Sequence, residues 1–136
     1  MYQIFPHTAD IGLSVEGKSL NELFESSALG MTSLLTEPSK LAPSQSVPLS
    51  LRSESWEFLL LDWLMEILYQ FTVKKIAFSR FEIRTLEPYR IEALGWGETI
   101  LPDRHPVLHE IKSVTYHDLK IQKTGGGYST RIIFDI

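Results

Sequence analysis

The order of hydrophobic patterns in this chain predicts an α+β domain, with two main helices packed on one face of a largely antiparallel β-sheet. Three observations carry that expectation. Two amphipathic helical stretches fall in the first half of the chain. From Ile76 onward the segments are rich in β-branched and aromatic residues and are separated by turn signals. Between the last two of these segments lies "TGGGY", where Gly125, Gly126 and Gly127 suit a hairpin because glycine reaches positive φ without steric cost. No internal repeat or low-complexity tract interrupts the pattern, so residues 1–136 read as one domain, long enough to build a core without staples.

The elements follow in order. Ile11, Leu13 and Val15 alternate with Gly12, Ser14 and Glu16, the period of a half-buried strand closing at Gly17. "SLNELFESSALGMTSLL" opens on the capping-box pattern Ser19-x-x-Glu22 and repeats apolar residues at helical spacing from Leu20 to Leu35. The segment from Thr36 to Ser46 has prolines and serines without periodicity and reads as a loop. Val47, Leu49 and Leu51 mark a second strand, after which Ser53 or Ser55 can cap a helix with a wide apolar face from Trp56 to Phe71. "IAFSRFEIRTLE", "YRIEALGWG", "SVTYHDLKIQK" and "YSTRIIFDI" read as strands. In the third of these the apolar phase shifts between Tyr116 and Leu119, which predicts a bulge near His117 or Asp118.

Composition narrows the function. A net charge of -4 argues against a protein that binds nucleic acid through its own electrostatics, so RNA, if involved, is held by a partner. With no cysteine there is neither a disulfide, nor a thiolate metal site, nor a cysteine nucleophile. The start of the chain lacks the basic and apolar regions of a targeting peptide, and the most apolar stretch is broken by Glu57, Asp62 and Glu66. These features lead to the expectation of a soluble, cytoplasmic protein.

Among chemistry-bearing residues, Asp135 lies beside the carboxylate of Ile136, and two such charges repel unless solvent or a cation intervenes. Hard divalent ions such as Ca²⁺ or Mg²⁺ take oxygen ligands of this kind. Asp10, just before the first strand, is a third carboxylate, but an aspartate at a strand entrance ordinarily caps a turn or faces water. A rival cluster is His105, His109 and His117 with Asp103 and Glu110, which could serve a metal-dependent hydrolase through His105, His109 and a carboxylate. The His-x3-His spacing needs a helix, which Pro106 and the β-like sequence after it disfavour. No nucleophile elbow, Walker pattern or dinucleotide fingerprint is present.

The stretches "HTADIGL", "SLNELFESSALGM", "LLLDWLMEILY", "GWGETILPDRH", "EIKSVTYHDL" and the final "FDI" stand in the order found in the archease family, which the chain resembles over nearly its whole length. The resemblance implies an archease fold related to the SHS2 module. It also implies a non-enzymatic accessory protein of the tRNA-splicing RNA ligase, which joins a 3′-phosphate or 2′,3′-cyclic-phosphate end to a 5′-hydroxyl end. Such a protein promotes guanylylation of the ligase by GTP and its multiple turnover, in tRNA splicing or RNA repair, and contacts RNA mainly through the ligase. The family's metal site maps onto Asp10, Asp135 and the C-terminal Ile136, for a divalent cation, Ca²⁺ in the first place with Mg²⁺ or Mn²⁺ as alternatives. His7, His105, Lys112 and His117 fall in family-like motifs as contact or supporting residues. The Thr36–Ser46 stretch has little charge, a departure from the more acidic loop of the family pattern that leaves its part in partner binding open. A second role associated with the family is a chaperone-like modulator of a tRNA-modifying enzyme such as a tRNA methyltransferase.

Overall fold

Ser19 and Ser55 start the two helices of the computed structural model, which describes residues 1–7 and 10–136 except for the side chains of Pro6 and His7. The Ser19 hydroxyl accepts the Glu22 amide at 3.1 Å and opens α1, Leu20–Leu35. Ser55, not Ser53, accepts the Phe58 amide at 3.2 Å and opens α2, Trp56–Thr72. The helices are joined through Trp63, whose buried indole Nε1–H donates to the Phe24 carbonyl at 3.0 Å. Phe81 stands edge-on to the same indole, with ring centroids 5.3 Å apart.

The expected class holds, but the strands divide into two antiparallel sheets rather than one. The first has β1 (Tyr2–His7), β2 (Asp10–Gly17), β8 (Gly127–Asp135) and β6 (Ser113–Val114) side by side, with β7 (Gln122–Thr124) also pairing with β8. The second has the order β3 (Gln45–Arg52), β5 (Arg90–Thr99), β4 (Ile76–Glu87). Helix α1 explains the division. Leu23, Phe24, Ala28, Met31, Leu34 and Leu35 form a wide buried face, and the helix touches β2 of one sheet and β4 of the other. An apolar face that wide is covered by elements of both sheets. Its buried hydroxyls are satisfied locally, Ser27 donating to the Leu23 carbonyl and Thr32 to that of Ala28.

Three sequence expectations change. Strand β1 precedes the first strand read from the pattern; it is an outer strand of its sheet, with Ile4 54% exposed, and so lacks a clean alternation. The predicted bulge near His117 is a strand break: β6 and β7 pair with different ends of β8, and Asp118 between them takes φ 56°. The last hairpin forms as expected, with Thr124 opposite Gly127, but none of the described glycines uses positive φ. Gly127 is required instead by close approach, because a Cβ there would lie 2.1 Å from the Gly17 carbonyl oxygen.

Candidate carboxylate site at the end of the first sheet

The ladder between β2 and β8 runs without a register shift from Gly17 opposite Tyr128 to Asp10 opposite Asp135. This register joins two aspartates separated by most of the chain. In β8 Ile132 and Phe134 enter the core, and strand alternation sets Asp135 on the other face with Arg131 and Ile133, of which Ile133 is also covered. Leu13 and Val15 bury the matching face of β2, which places Asp10, Gly12 and Ser14 on the outer side. Directly opposed residues of an antiparallel pair share a face, with Cβ atoms about 4.5–5.5 Å apart, and like charges there destabilise the pair.

The neighbouring strands extend this row. In register, β1 sets His7 across from Asp10, and β6 sets Ser113 across from Asp135. Thr8, Ala9 and the His7 side chain of the "HTAD" motif lie outside the described residues. The Asp135 carbonyl accepts the Lys112 amide at 2.7 Å, which ties the segment before β6 to the site. Asp135 is exposed and Ile136 is 38% exposed. Further along the outer face, the Phe5 ring lies over Gly12, where a Cβ would meet it at 2.0 Å, and the Arg131 guanidinium sits 4.1 Å from the centre of that ring. Glycine at position 12 is what leaves room for the aromatic ring there.

Asp10, Asp135 and the expected carboxylate of Ile136 would make a donor set of oxygens only, the kind a hard divalent cation takes. Among the described residues there is no cluster of three or more His, Cys, Asp or Glu side chains. The candidate set has two such side chains, with the carboxylate of Ile136 as the expected third donor.

The histidine alternative does not survive the geometry of His105. That ring is 0% exposed; its Nδ1 accepts the Leu101 amide at 2.9 Å, so the proton sits on Nε2, which donates to Glu98 Oε1 at 2.7 Å. Neither nitrogen retains a lone pair for a metal or a proton transfer. His109 is exposed on the segment that follows, and His117 sits in the turn after β6 with Nε2 3.3 Å from Asp118.

Glu98 was missed by sequence reasoning. Its Oε1 also accepts the Ala42 amide at 3.1 Å and lies 3.7 Å from the Arg104 guanidinium. The Ala42 hydrogen bond first, then that of His105, and also the charge of Arg104, hold its carboxyl below the usual glutamate range against the opposing effect of desolvation. Glu98 and His105 both stand in "GWGETILPDRH", but only the fold reveals that Glu98, bonded to His105, pins the segment ahead of β3 to β5 through Ala42, and that the loop expected over Thr36–Ser46 ends where β3 begins at Gln45. Ser44 Oγ strengthens the pin by donating to the Gly97 carbonyl at 3.3 Å.

Fold and geometry together define a small α+β domain with two aspartates opposed at the end of its first sheet. Comparison with known proteins places it more closely. A model of the "Archease protein family (MTH1598/TM1083)" matches residues 2–136, and the chain belongs to the archease family. It is 37% identical to Protein archease of Methanosarcina mazei over 139 residues, covering 99% of this chain and 95% of that one. Against Protein archease of Sulfurisphaera tokodaii it is 32% identical over 136 residues, covering 99% and 98%. The solution structure of Methanobacterium thermoautotrophicum protein 1598 superposes with TM-score 0.82 at 28% identity, covering 99% and 98% of the two chains. The crystal structure of an archease from Thermotoga maritima, described as a possible chaperone, shares the fold with TM-score 0.64 at 22% identity, covering 100% and 98%.

Proposed function

We propose that this protein is a non-enzymatic accessory factor of a GTP-dependent RNA ligase, promoting guanylylation of the ligase and its multiple turnover in tRNA splicing or RNA repair. Membership of the archease family supports the reading, and one observation carries it: Asp10 stands directly opposite Asp135 at the open end of the first sheet. Asp10, Asp135 and the carboxylate of Ile136 would hold a divalent cation, Ca²⁺ in the first place, with Mg²⁺ or Mn²⁺ as alternatives. When bound, that cation neutralises the opposed carboxylates and offers a positive centre for phosphate or carboxylate oxygens of a partner. The chain's own contribution is spacing, because the ladder fixes the two side-chain donors relative to each other and the Lys112 amide holds the Asp135 backbone. With a net charge of -4, contact with RNA passes through the ligase. No helix among the described residues is long and apolar enough to cross a membrane, and the cytoplasm is the proposed place of action.

A reconstituted ligation reaction tests this reading, with purified ligase, GTP, divalent metal and RNA bearing 3′-phosphate and 5′-hydroxyl ends. The wild-type protein should raise ligase guanylylation and turnover. Asp10→Ala and Asp135→Ala, each folded by circular dichroism, should lower that stimulation by roughly tenfold or more, as loss of a metal-supporting group does elsewhere. Stimulation at the wild-type level by both variants would remove the proposal. Recovery of a tRNA methyltransferase and no ligase in a pull-down would favour the chaperone-like role.

A further inference from the structure

A groove of about 820 Å³ between the C-terminal half of α2 and the extended segment 107–112 has no part in the carboxylate row. Leu35, Met65, Leu68, Tyr69, Val73 and Ile111 supply much of its apolar lining. Side chains that a core would bury stand open here, Tyr69 being 45%, Val73 56% and Val107 60% exposed. A contiguous apolar surface of this kind marks a binding site more often than an isolated exposed leucine does.

Charge and backbone conformation indicate what covers it. In a chain of net charge -4, this groove is lined by Lys75 and Lys112 against one carboxylate, Glu110. Lys75 takes φ 61°, the left-handed region in which glycine would rest without strain. Its carbonyl accepts the Ile100 amide at 2.7 Å, which holds the residue in place. A lysine here therefore keeps a cation at the groove at a conformational cost, the kind of local strain that collects at functional positions. Lys112 connects the groove to the candidate site, since its own amide donates to the Asp135 carbonyl.

We infer that the groove seats an apolar segment of the partner protein, flanked by acidic side chains that meet Lys75 and Lys112, and that this docking brings the Asp10–Asp135 end against the partner. Taking that partner to be the RNA ligase rests on the function proposed above. A second copy of this chain in two-fold contact would bring a lining of two lysines and one carboxylate against itself, an excess of like charge that opposes the contact.

The test is calorimetric titration of the ligase with the full chain at low and physiological salt, using wild type, Lys75→Gly and Tyr69→Asp. Lys75→Gly relieves the backbone, so the fold survives while the cation is lost. Its affinity should fall about two- to fivefold, as for one exposed ion pair, with a shallower dependence on salt. Tyr69→Asp, at an exposed position, should weaken binding by roughly thirtyfold if the ring anchors the segment. Wild-type affinity and salt dependence in both variants would overturn the groove while leaving the accessory role intact. Failure of the wild-type protein to bind the ligase at all would overturn that role and this occupant with it. Lower self-association of the variants in sedimentation velocity, with ligase binding unchanged, would make a second copy the occupant and refute the inference.

Discussion

Asp135 occupies a position that cross-strand energetics alone would not choose, opposite a second aspartate on the next strand. Replacing it with asparagine keeps the shape and removes one charge, so metal-free stability should stay level or rise by up to about 1 kcal/mol. The same change should abolish stabilisation by Ca²⁺, which at a hundred times its dissociation constant adds about 2.7 kcal/mol to a protein that binds it only when folded. Thermal unfolding of Asp135→Asn in CaCl2 and in EDTA separates these opposite effects, and an unchanged response to Ca²⁺ would count against the site. Glu98 makes a prediction in pH. Its folded value is lowered from the ordinary 4.5 by the Ala42 amide first. Its contribution is therefore complete above about 4.5 and is lost as pH falls through the folded value. Glu98→Gln should accordingly flatten the loss of stability on acidification below about pH 5, read from urea midpoints; an identical acid limb in both proteins would contradict this role. At this scale the sequence showed Asp10, Asp135 and His105 as residues worth attention. It could not show that the aspartates face each other or that the histidine is consumed by Glu98, because both facts depend on long-range placement.

Local elements were the most legible. Ser19 and Ser55 cap α1 and α2 as side-chain chemistry requires, and the strand read from "IAFSRFEIRTLE" is β4 from end to end. The segment from Ser113 to Lys123 reads as one bulged strand because its composition suits a strand throughout, while in the fold no strand forms between Val114 and Gln122, around the turn at Asp118. The last hairpin gives a direct comparison of two glycines with different duties. A Cβ added at Gly125 would have nothing within 4 Å, whereas one at Gly127 would press against backbone that cannot rotate away. Gly125→Ala should be neutral or stabilise by about 0.4–1 kcal/mol through the unfolded chain, and Gly127→Ala should cost about 1–3 kcal/mol. Urea denaturation of the pair checks the assignment, which fails if the two substitutions behave alike.

For the molecule as a whole, the core is organised by α1 lying against both sheets, while the proposed metal donors collect at one open end of the first sheet, away from that packing. One residue added after Ile136 should therefore leave urea stability within about 0.5 kcal/mol, since no buried contact changes. It should nevertheless weaken Ca²⁺ binding by roughly tenfold or more by displacing the proposed third donor, as titration calorimetry would show. Unaltered Ca²⁺ affinity in the extended protein would exclude the Ile136 carboxylate as a ligand. By itself the sequence determined the α+β class, the two helices with their caps and most strands, because periodicity, capping and turn preference act over a few residues. Its motifs carried the family resemblance as well. Only the tertiary structure decided that the strands form two sheets, that Glu98 claims His105, and that Asp10 meets Asp135. Each of these joins residues whose separation along the chain says nothing of their distance in space, and each is set by how buried faces find their cover.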